Sequence, residues 1–339
     1  MIEPVVSIII PCRNEKDYII SCVQSVLHNN YPHEKMEVIV CDGMSDDGTY
    51  ELLKNFTYKN PQLKILSNEK RTTPYALNLG IKNSTGDVII ILGAHAEMHG
   101  NYLHTCISVL NEKQEVWCCG GVLKNESKDE TGEIISLAMT SPFGVGSAHF
   151  RTGAREGYVD TVAFGAYRKE VFSLIGLFDE ELTRNQDDEF NYRLTKAGKK
   201  IWLATDTSIK YFVRGSWKKL WSQYFQYGYW KVFVNRKHRM VTTMRQLIPF
   251  LFVLCLIAGF VLSFVSYYFL WFYISSLVTY ILCALLAAFI LNKQKKNIFQ
   301  IVFAFILLHI SYGSGYLKGV IDFLLLRKKS ASKHESLSR

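Results

Sequence analysis

The chain has 339 residues, of which 49% are hydrophobic and 20% charged, and its formal charge is +9. That composition excludes disordered, collagen-like and small disulfide-bonded proteins, and the length suits about two domains of ~150 residues. Charge is unevenly spread: Leu247 to Leu291 has none, whereas Arg214 to Arg245 holds eight Lys/Arg and no Asp or Glu. The chain therefore reads as a soluble domain followed by a membrane anchor.

The N-terminus, MIEPVVSIIIPCRNE, lacks the basic start and small-residue cleavage site of a secretory signal, so the first domain is expected in the cytoplasm. The eight cysteines (Cys12, Cys22, Cys41, Cys106, Cys118, Cys119, Cys255, Cys283) form no CxxC pair and read as reduced thiols. In chain order the pattern predicts a strand at VSIII, a helix near Lys16 to His28 and a strand at Val38 to Cys41. A helix after Asp47, a strand at Lys64 to Ser67, a helix near Thr73 to Asn83 and a strand at Val88 to Leu92 follow. Apolar strands separated by helices indicate a mostly parallel sheet covered on both faces. Ligands in such sheets sit at the carboxyl ends of the strands, here PCRNE, CDGMSDDGT and GAHAE. No GxGxxG follows the first strand, which disfavours a common dinucleotide site.

Beyond residue 213 the chain changes character. Arg214 to Arg239 mixes cations with Trp217, Trp221, Tyr224, Phe225, Tyr227, Tyr229 and Trp230, a composition suited to the headgroup level of a bilayer rather than to nucleic acid. The uncharged stretch is twice the ~20 residues needed to cross the hydrocarbon core, so two spans are expected, near 247–268 and 270–291. The basic loop NKQKKN and the basic run before Pro249 place both ends on the cytoplasmic side. A third apolar segment, Ile298 to Leu326, contains GSG at Gly313 to Gly315 together with His309, Lys318 and Asp322. It is either a third span or a re-entrant segment. His309 and Asp322 are either helix-packing residues or lipid contacts. The expected organisation is a catalytic domain over 1–213, a basic aromatic interfacial segment over 214–246, membrane helices over 247–326 and a basic tail over 327–339.

The motifs VSIIIPCRNEKDYI, VIVCDGMSDDGT, RTTPYALNLGI, STGDVIIILGAHAE, SPFGVGSAHFRTG, VDTVAFGAYRKEVF and FDEELTRNQDDEFNYRL stand in this order. Together they resemble a family 2 glycosyltransferase of the GT-A fold, in the membrane-anchored branch of succinoglycan-type enzymes that build exopolysaccharide and capsule units. The resemblance implies a multi-pass protein of the cytoplasmic membrane that performs an inverting transfer. The donor it implies is a nucleotide sugar, a uridine diphosphate sugar foremost, and the acceptor a saccharide on polyprenyl diphosphate.

By that resemblance Asp42 contacts the nucleotide base, and Pro11, Arg13, Asn14 and Glu15 line the same pocket; Asp42 read alone is a turn residue. Asp46 and Asp47 read as caps of the next helix. Arg71 and Asn78 face the nucleotide or hold a loop. NQDDEF resembles the catalytic Glu-Asp motif with Gln186 for Glu, which makes Asp187 the general base and puts Asp188 beside the acceptor. Read alone, the same acids are a first turn favoured by the helix dipole. Where the family carries Asp-x-Asp or Asp-Ala-His for Mn²⁺ or Mg²⁺, this chain has Gly93, Ala94 and His95. His95 with Glu97 keeps a modified metal site, or His95 is a hydrogen-bonded residue at a strand end. QYGYW (Gln226 to Trp230) resembles QxxRW with Tyr229 for Arg, which makes Gln226 and Trp230 acceptor-site candidates or interfacial aromatics. The glycine-rich Ser141 to Gly153 reads as a loop over the substrate. A non-catalytic scaffold, a transferase using polyprenyl phosphate directly and a processive synthase are the rival readings.

Overall fold

The structure, a computed structural model, describes residues 3–58, 60–153, 155–213, 215–242, 244–293 and 296–328. The chain forms two compact units: Met1–Lys124 with His149–Phe212, and Asn125–Ala148 with Val213–Arg339.

The first unit carries β1 (Val6–Cys12), α1 (Ile19–Leu27), β2 (Met36–Asp42), α2 (Thr49–Thr57), β3 (Leu63–Ser67), α3 (Thr73–Lys82), β4 (Val88–Ile91), β5 (Ala96–Met98) and α4 (Tyr102–Glu112). β6 (Val116–Glu126) leads out of it, through α5 (Glu130–Met139) and α6 (Pro142–Val145). α7 (His149–Thr152), β7 (Gly157–Val159), β8 (Ala166–Arg168), α8 (Glu170–Ile175), α9 (Gln186–Lys196) and β9 (Lys200–Phe212) complete it. The sheet order is β3-β2-β1-β4-β8-β6-β9-β5, with β7 on β9. β3, β2, β1 and β4 pair in parallel, whereas β4 with β8, β8 with β6, β5 with β9 and β7 with β9 are antiparallel. Parallel pairing thus joins the four strands that alternate with helices.

The unbroken hydrophobicity of these strands comes from burial on both faces. Alternate residues serve opposite layers: Ile8, Ile10, Val38, Val40, Val88 and Ile90 pack with Cys22 and Val23 of α1 on one face. Ile9, Ile39, Cys41 and Ile89 pack with Ala76, Leu77 and Ile81 of α3 on the other. All eight cysteines are free; Cys255 and Cys283 are exposed and the other six buried.

In the second unit α5 and α6 pack with α10 (Trp217–His238), α11 (Ile248–Ser263), α12 (Tyr267–Leu291) and α13 (Ile298–Gly319). The reason is visible in α5, whose Ile134, Ile135, Ala138 and Met139 share a core with Leu220, Tyr224, Ala284, Phe305 and Leu308. This segment therefore leaves the 1–213 block in which the sequence places it. Three helices, Met244–Ser263, Tyr267–Leu291 and Ile298–Leu325, are long and apolar enough to cross a membrane by length and composition, with mean hydropathies of 2.4, 2.4 and 1.6. The third differs in burial: 44% of its most apolar window is covered, against 6% and 11%.

α13 runs unbroken through Gly313 to Gly315. Its glycines serve close packing instead of a break: a Cβ at Gly315 would overlap the Phe225 carbonyl of α10, and one at Gly319 would lie 2.7 Å from the Tyr229 carbonyl. The aromatic segment lies along it, with Tyr224, Tyr229 and Trp230 buried and Trp221 exposed. His309 accepts or donates at two places, with Nδ1 2.8 Å from the Tyr280 hydroxyl and Nε2 2.9 Å from the Phe143 carbonyl. A carbonyl only accepts, so Nε2 carries the hydrogen and Nδ1 receives the Tyr280 proton. His309 therefore pins α12 and α6 to α13. The basic tail from 329 onward lies outside the described residues.

Glu37 is a buried carboxylate of the parallel half, 7% exposed. Burial alone would raise its carboxyl, but hydrogen bonds from the Ser7 hydroxyl, the Thr85 amide, Lys64 Nζ and the Thr85 hydroxyl hold it down at about 2, below the ordinary 4.5. A lowered folded value adds stability that is fully present above the unfolded value and is lost as pH falls through the folded one. Glu37→Gln should cost about 1–3 kcal/mol at pH 7. In denaturant melts that gap from the parent protein should narrow below pH 4.5 and close near pH 2.

Candidate active site

Three loops meet at the carboxyl ends of β1, β2 and β4. The register puts Cys12 opposite Asp42, and the Gly43 amide donates to the Cys12 carbonyl at 2.7 Å, so the first two loops leave the sheet side by side. They lace together. Asn14, left-handed at φ 54°, donates its amide to Ser45 Oγ at 2.9 Å and its Nδ2 to Asp46 Oδ1 at 2.8 Å, and the Asp46 amide returns a bond to Asn14 Oδ1 at 3.0 Å. The Glu15 amide donates to Thr49 Oγ1, and the Lys16 amide to Asp47 Oδ2. Asp47 also accepts from the Thr49 amide, so it caps the first turn of α2, whereas Asp46 serves Asn14 and not the helix.

Asp42 is 3% exposed, and its carboxylate accepts from the Ser45 amide at 3.1 Å and hydroxyl at 2.5 Å. It thus shapes the turn in this conformation, and its own carbonyl receives the Asn68 amide, which draws in the third strand's loop. Arg71 stands exposed in that loop at φ 61°, and Pro11 and Arg13 are partly exposed at the rim of the first. Asn78 is a structural residue, since its Nδ2 donates to the Phe178 carbonyl and to Glu180, and its Oδ1 accepts from the Phe178 amide.

At the end of β4 the side chain missing from Gly93 has a steric counterpart. A Cβ there would lie 2.9 Å from Cε1 of Phe164, so an acid at 93 would displace that ring. His95 turns its buried Nδ1 toward Glu15, 3.3 Å from Oε1, without the alignment of a hydrogen bond. Its ring packs edge-on against Tyr211. Glu15 is 4% exposed, and its charge and that of Glu97 both reach Cys22, whose thiol is pushed up first by burial and then by these carboxylates. His95, Glu15 and Glu97 therefore share one neighbourhood. Among the described residues no three His, Cys, Asp or Glu side chains are set to hold a metal ion by themselves. The imidazole and the Glu15 carboxylate do form a nitrogen–oxygen donor pair, which fits a cation whose remaining ligands come from a bound diphosphate.

The acids of NQDDEF divide their work. Asn185 precedes α9 in the left-handed region, and Asp187, Asp188 and Glu189 fill its first turn. Glu189 is buried and grips Arg193 through both oxygens, at 2.8 and 2.9 Å, so it is structural. Asp187 is exposed; the surrounding protein raises its carboxyl, Asp188 raises it further, and the Asp188 amide and Arg151 oppose this. Oε1 of Gln186 is buried beside it with no hydrogen-bond partner. The sequence offered no reason to single out Arg151; within FRTG it follows Phe150, which anchors α7 against the core under the guanidinium.

Gln226 and Trp230 lie in the second unit, 6% and 0% exposed. Trp230 packs against Phe233 and Phe323, with its Nε1 buried and unbonded, so it is a packing residue of α10 and not an interfacial anchor. Ser141 to Gly153 is folded, with α6 capped by Ser141 and α7 at its end.

The profile of glycosyl transferase family 2 matches residues 7–176, half of the chain. The chain belongs to this family. A 35% identity over 240 residues relates it to the dolichyl N-acetyl-α-D-glucosaminyl phosphate 3-β-D-2,3-diacetamido-2,3-dideoxy-β-D-glucuronosyltransferase of Methanococcus voltae, covering 68% of this chain and 74% of the relative. The succinoglycan biosynthesis protein ExoA of Rhizobium meliloti is 29% identical over 71% of this chain and 73% of its own. The mannosyltransferase PcManGT of Pyrobaculum calidifontis, solved with GDP-mannose and Mn²⁺, shares the fold at a TM-score of 0.62 and 18% identity, over 92% of this chain and 87% of that one. This family 2 glycosyltransferase thus has a GT-A domain and three apolar helices that could span a membrane. The family match ends before α9, so Asp187 rests on its own geometry. Because Arg151 opposes the rise of the Asp187 carboxyl, Arg151→Met should raise that carboxyl further, as read by NMR titration of the Asp187 side chain.

Proposed function

We propose that this glycosyltransferase moves one sugar from a nucleotide sugar, a uridine diphosphate sugar in the first instance, to a saccharide on polyprenyl diphosphate. The work is done at the cytoplasmic face of the membrane, in exopolysaccharide or capsule assembly. The observation that carries the reading is Asp187, an exposed carboxylate at the start of α9 whose affinity for protons is raised, in a chain whose preceding residues 7–176 form a family 2 glycosyltransferase region. The dolichyl-linked substrate in the name of the Methanococcus relative supports a lipid-linked acceptor, and the succinoglycan role in the name of the Rhizobium protein supports exopolysaccharide assembly. The apolar helices also support a lipid-linked acceptor.

In the proposed step Asp187 takes the proton of the acceptor hydroxyl as that oxygen bonds to the anomeric carbon. The bond from this carbon to the diphosphate oxygen breaks, the diphosphate leaves with the electron pair and the configuration inverts. Asp188 orients the acceptor, and Arg151 keeps the base ionised. Pro11, Arg13, Asn14, Asp42 and Arg71 hold the nucleotide, for which Asp42 exchanges its bonds to Ser45. A divalent cation, when bound by His95 with Glu15 and Glu97, supplies positive charge to the departing diphosphate.

Asp187→Asn should lower transfer by about 10²–10⁴-fold while leaving the nucleotide bound. A base with a raised carboxyl is active only when ionised, so the rate of the parent enzyme should fall off on the acid side above the ordinary carboxylate range. Calorimetry of UDP binding in detergent, with Mn²⁺, Mg²⁺ or EDTA, tests the donor site. Metal-dependent binding that weakens in His95→Ala is expected, and folded protein that binds no UDP under any condition would point to another nucleotide or to the scaffold reading.

A further inference from the structure

The second unit holds one buried carboxylate among several cations. Asp322, 2% exposed, lies in the π-helical turn Val320–Leu325 that continues α13. Its Oδ1 accepts from Lys318 Nζ and from Lys328 Nζ, each at 2.8 Å, and its Oδ2 accepts from the Tyr229 hydroxyl at 3.1 Å. Arg236 of α10 secures the same turn, with Nη1 donating to the carbonyls of Phe323 at 3.0 Å and Lys328 at 2.8 Å.

Charge balance makes this cluster more than a structural ion pair. A buried carboxylate is compensated by one cation with good hydrogen bonds, and Lys318, one helical turn away, provides it. Lys328 is then surplus, and Arg236 adds a further positive charge. The two lysine side chains remain 42% and 46% exposed, while the Asp322 side chain is 3% exposed. An ammonium has three N–H donors, and the bond to Asp322 uses one. Asp322 therefore acts as a pivot that holds two ammonium groups side by side, facing outward, where a widened helical turn brings its carboxylate inward. Beside them Leu324, Leu325 and Leu326 are exposed at 47%, 71% and 59%. Paired cations next to bare hydrocarbon match a molecule that carries phosphate directly above an acyl or prenyl chain.

We propose that Lys318 and Lys328, held by Asp322, form a binding site for the phosphate group of a membrane lipid. The chemistry is shared by a polyprenyl diphosphate and an anionic phospholipid headgroup. It requires no sugar transfer, so its failure would leave the catalytic reading untouched.

The full chain is placed in nanodiscs of neutral phosphatidylcholine containing either a polyprenyl diphosphate or phosphatidylglycerol, and retained lipids are counted by native mass spectrometry. Enrichment of the diphosphate alone identifies a carrier-lipid site, and equal enrichment of both identifies a headgroup site. Either supports the proposal if Lys318→Gln with Lys328→Gln reduces retention about tenfold and the Lys→Arg pair preserves it. Unchanged retention in the folded Gln pair, or enrichment of neither lipid, overturns it. Should the Gln pair fail to fold, acetic anhydride labelling of the parent protein decides. Lipid phosphate should protect Lys318 and Lys328 relative to the exposed Lys218 and Lys219, and equal labelling with and without it rejects the site.

Discussion

The parallel register of β1 on β2 is the constraint on which the candidate active site depends. With Cys12 opposite Asp42, the two chains leave the sheet together, and Asn14, Glu15 and Lys16 can reach Ser45, Asp46, Asp47 and Thr49. A slip of one residue would invert one strand against the other, either exchanging Ile8 and Ile10 for Ile9 in the layer against α1 or turning Asp42 to the other face. The buried strands thus fix the loops more firmly than the loops' own hydrogen bonds could. Non-glycine residues in left-handed conformations, Asn14, Met44 and Arg71, cluster in these loops. Such strain persists where surrounding structure over-determines it, which fits a pocket shaped before its ligand arrives.

The second unit is organised around a different kind of contact. Between Gly313 and Gly319, where Tyr316 packs on Phe250, the glycines of α13 also let its neighbours bring backbone against backbone. Close approach then makes polar side chains in the apolar helix useful: His309 reaches both Tyr280 and Phe143, and Asp322 reaches Tyr229. α11 and α12 meet α13 through contacts such as the Pro249 carbonyl against Gly313 and the Tyr280 hydroxyl against His309, and turn large apolar residues such as Phe260, Phe272 and Phe289 outward.

Much of the first unit was legible because its strands are short apolar runs bounded by turn residues, and its helices carry the matching periodicity. The first four strands and three helices lie where that pattern puts them. The antiparallel half was not legible, since β5, β7 and β8 are three residues each and depend on partners distant in the chain. Asp187 was readable as an acid in an acidic first turn, but the groups that shift its carboxyl, among them Arg151, are brought there by the fold. The Glu15–His95 pair was hidden for the same reason: eighty residues separate two side chains that meet only when β1 lies beside β4. Hydrophobic and aromatic composition misplaced Trp230, because a tryptophan between cations suits a membrane surface and a helix interface equally well.

The path of residues 125–148 has a consequence for dissecting the molecule. The chain leaves the catalytic unit after Lys124, packs α5 and α6 among the apolar helices, and returns at His149 before α9 is built. The two units are therefore interleaved in sequence and are not beads on a string. Cutting the chain after Phe212 would strip the partners from Ile134, Ile135, Ala138 and Met139 and release an adhesive helix from the middle of the catalytic half. Residues 125–148 therefore tie the integrity of the transferase half to the apolar helices, and the two cannot be separated by a single cut.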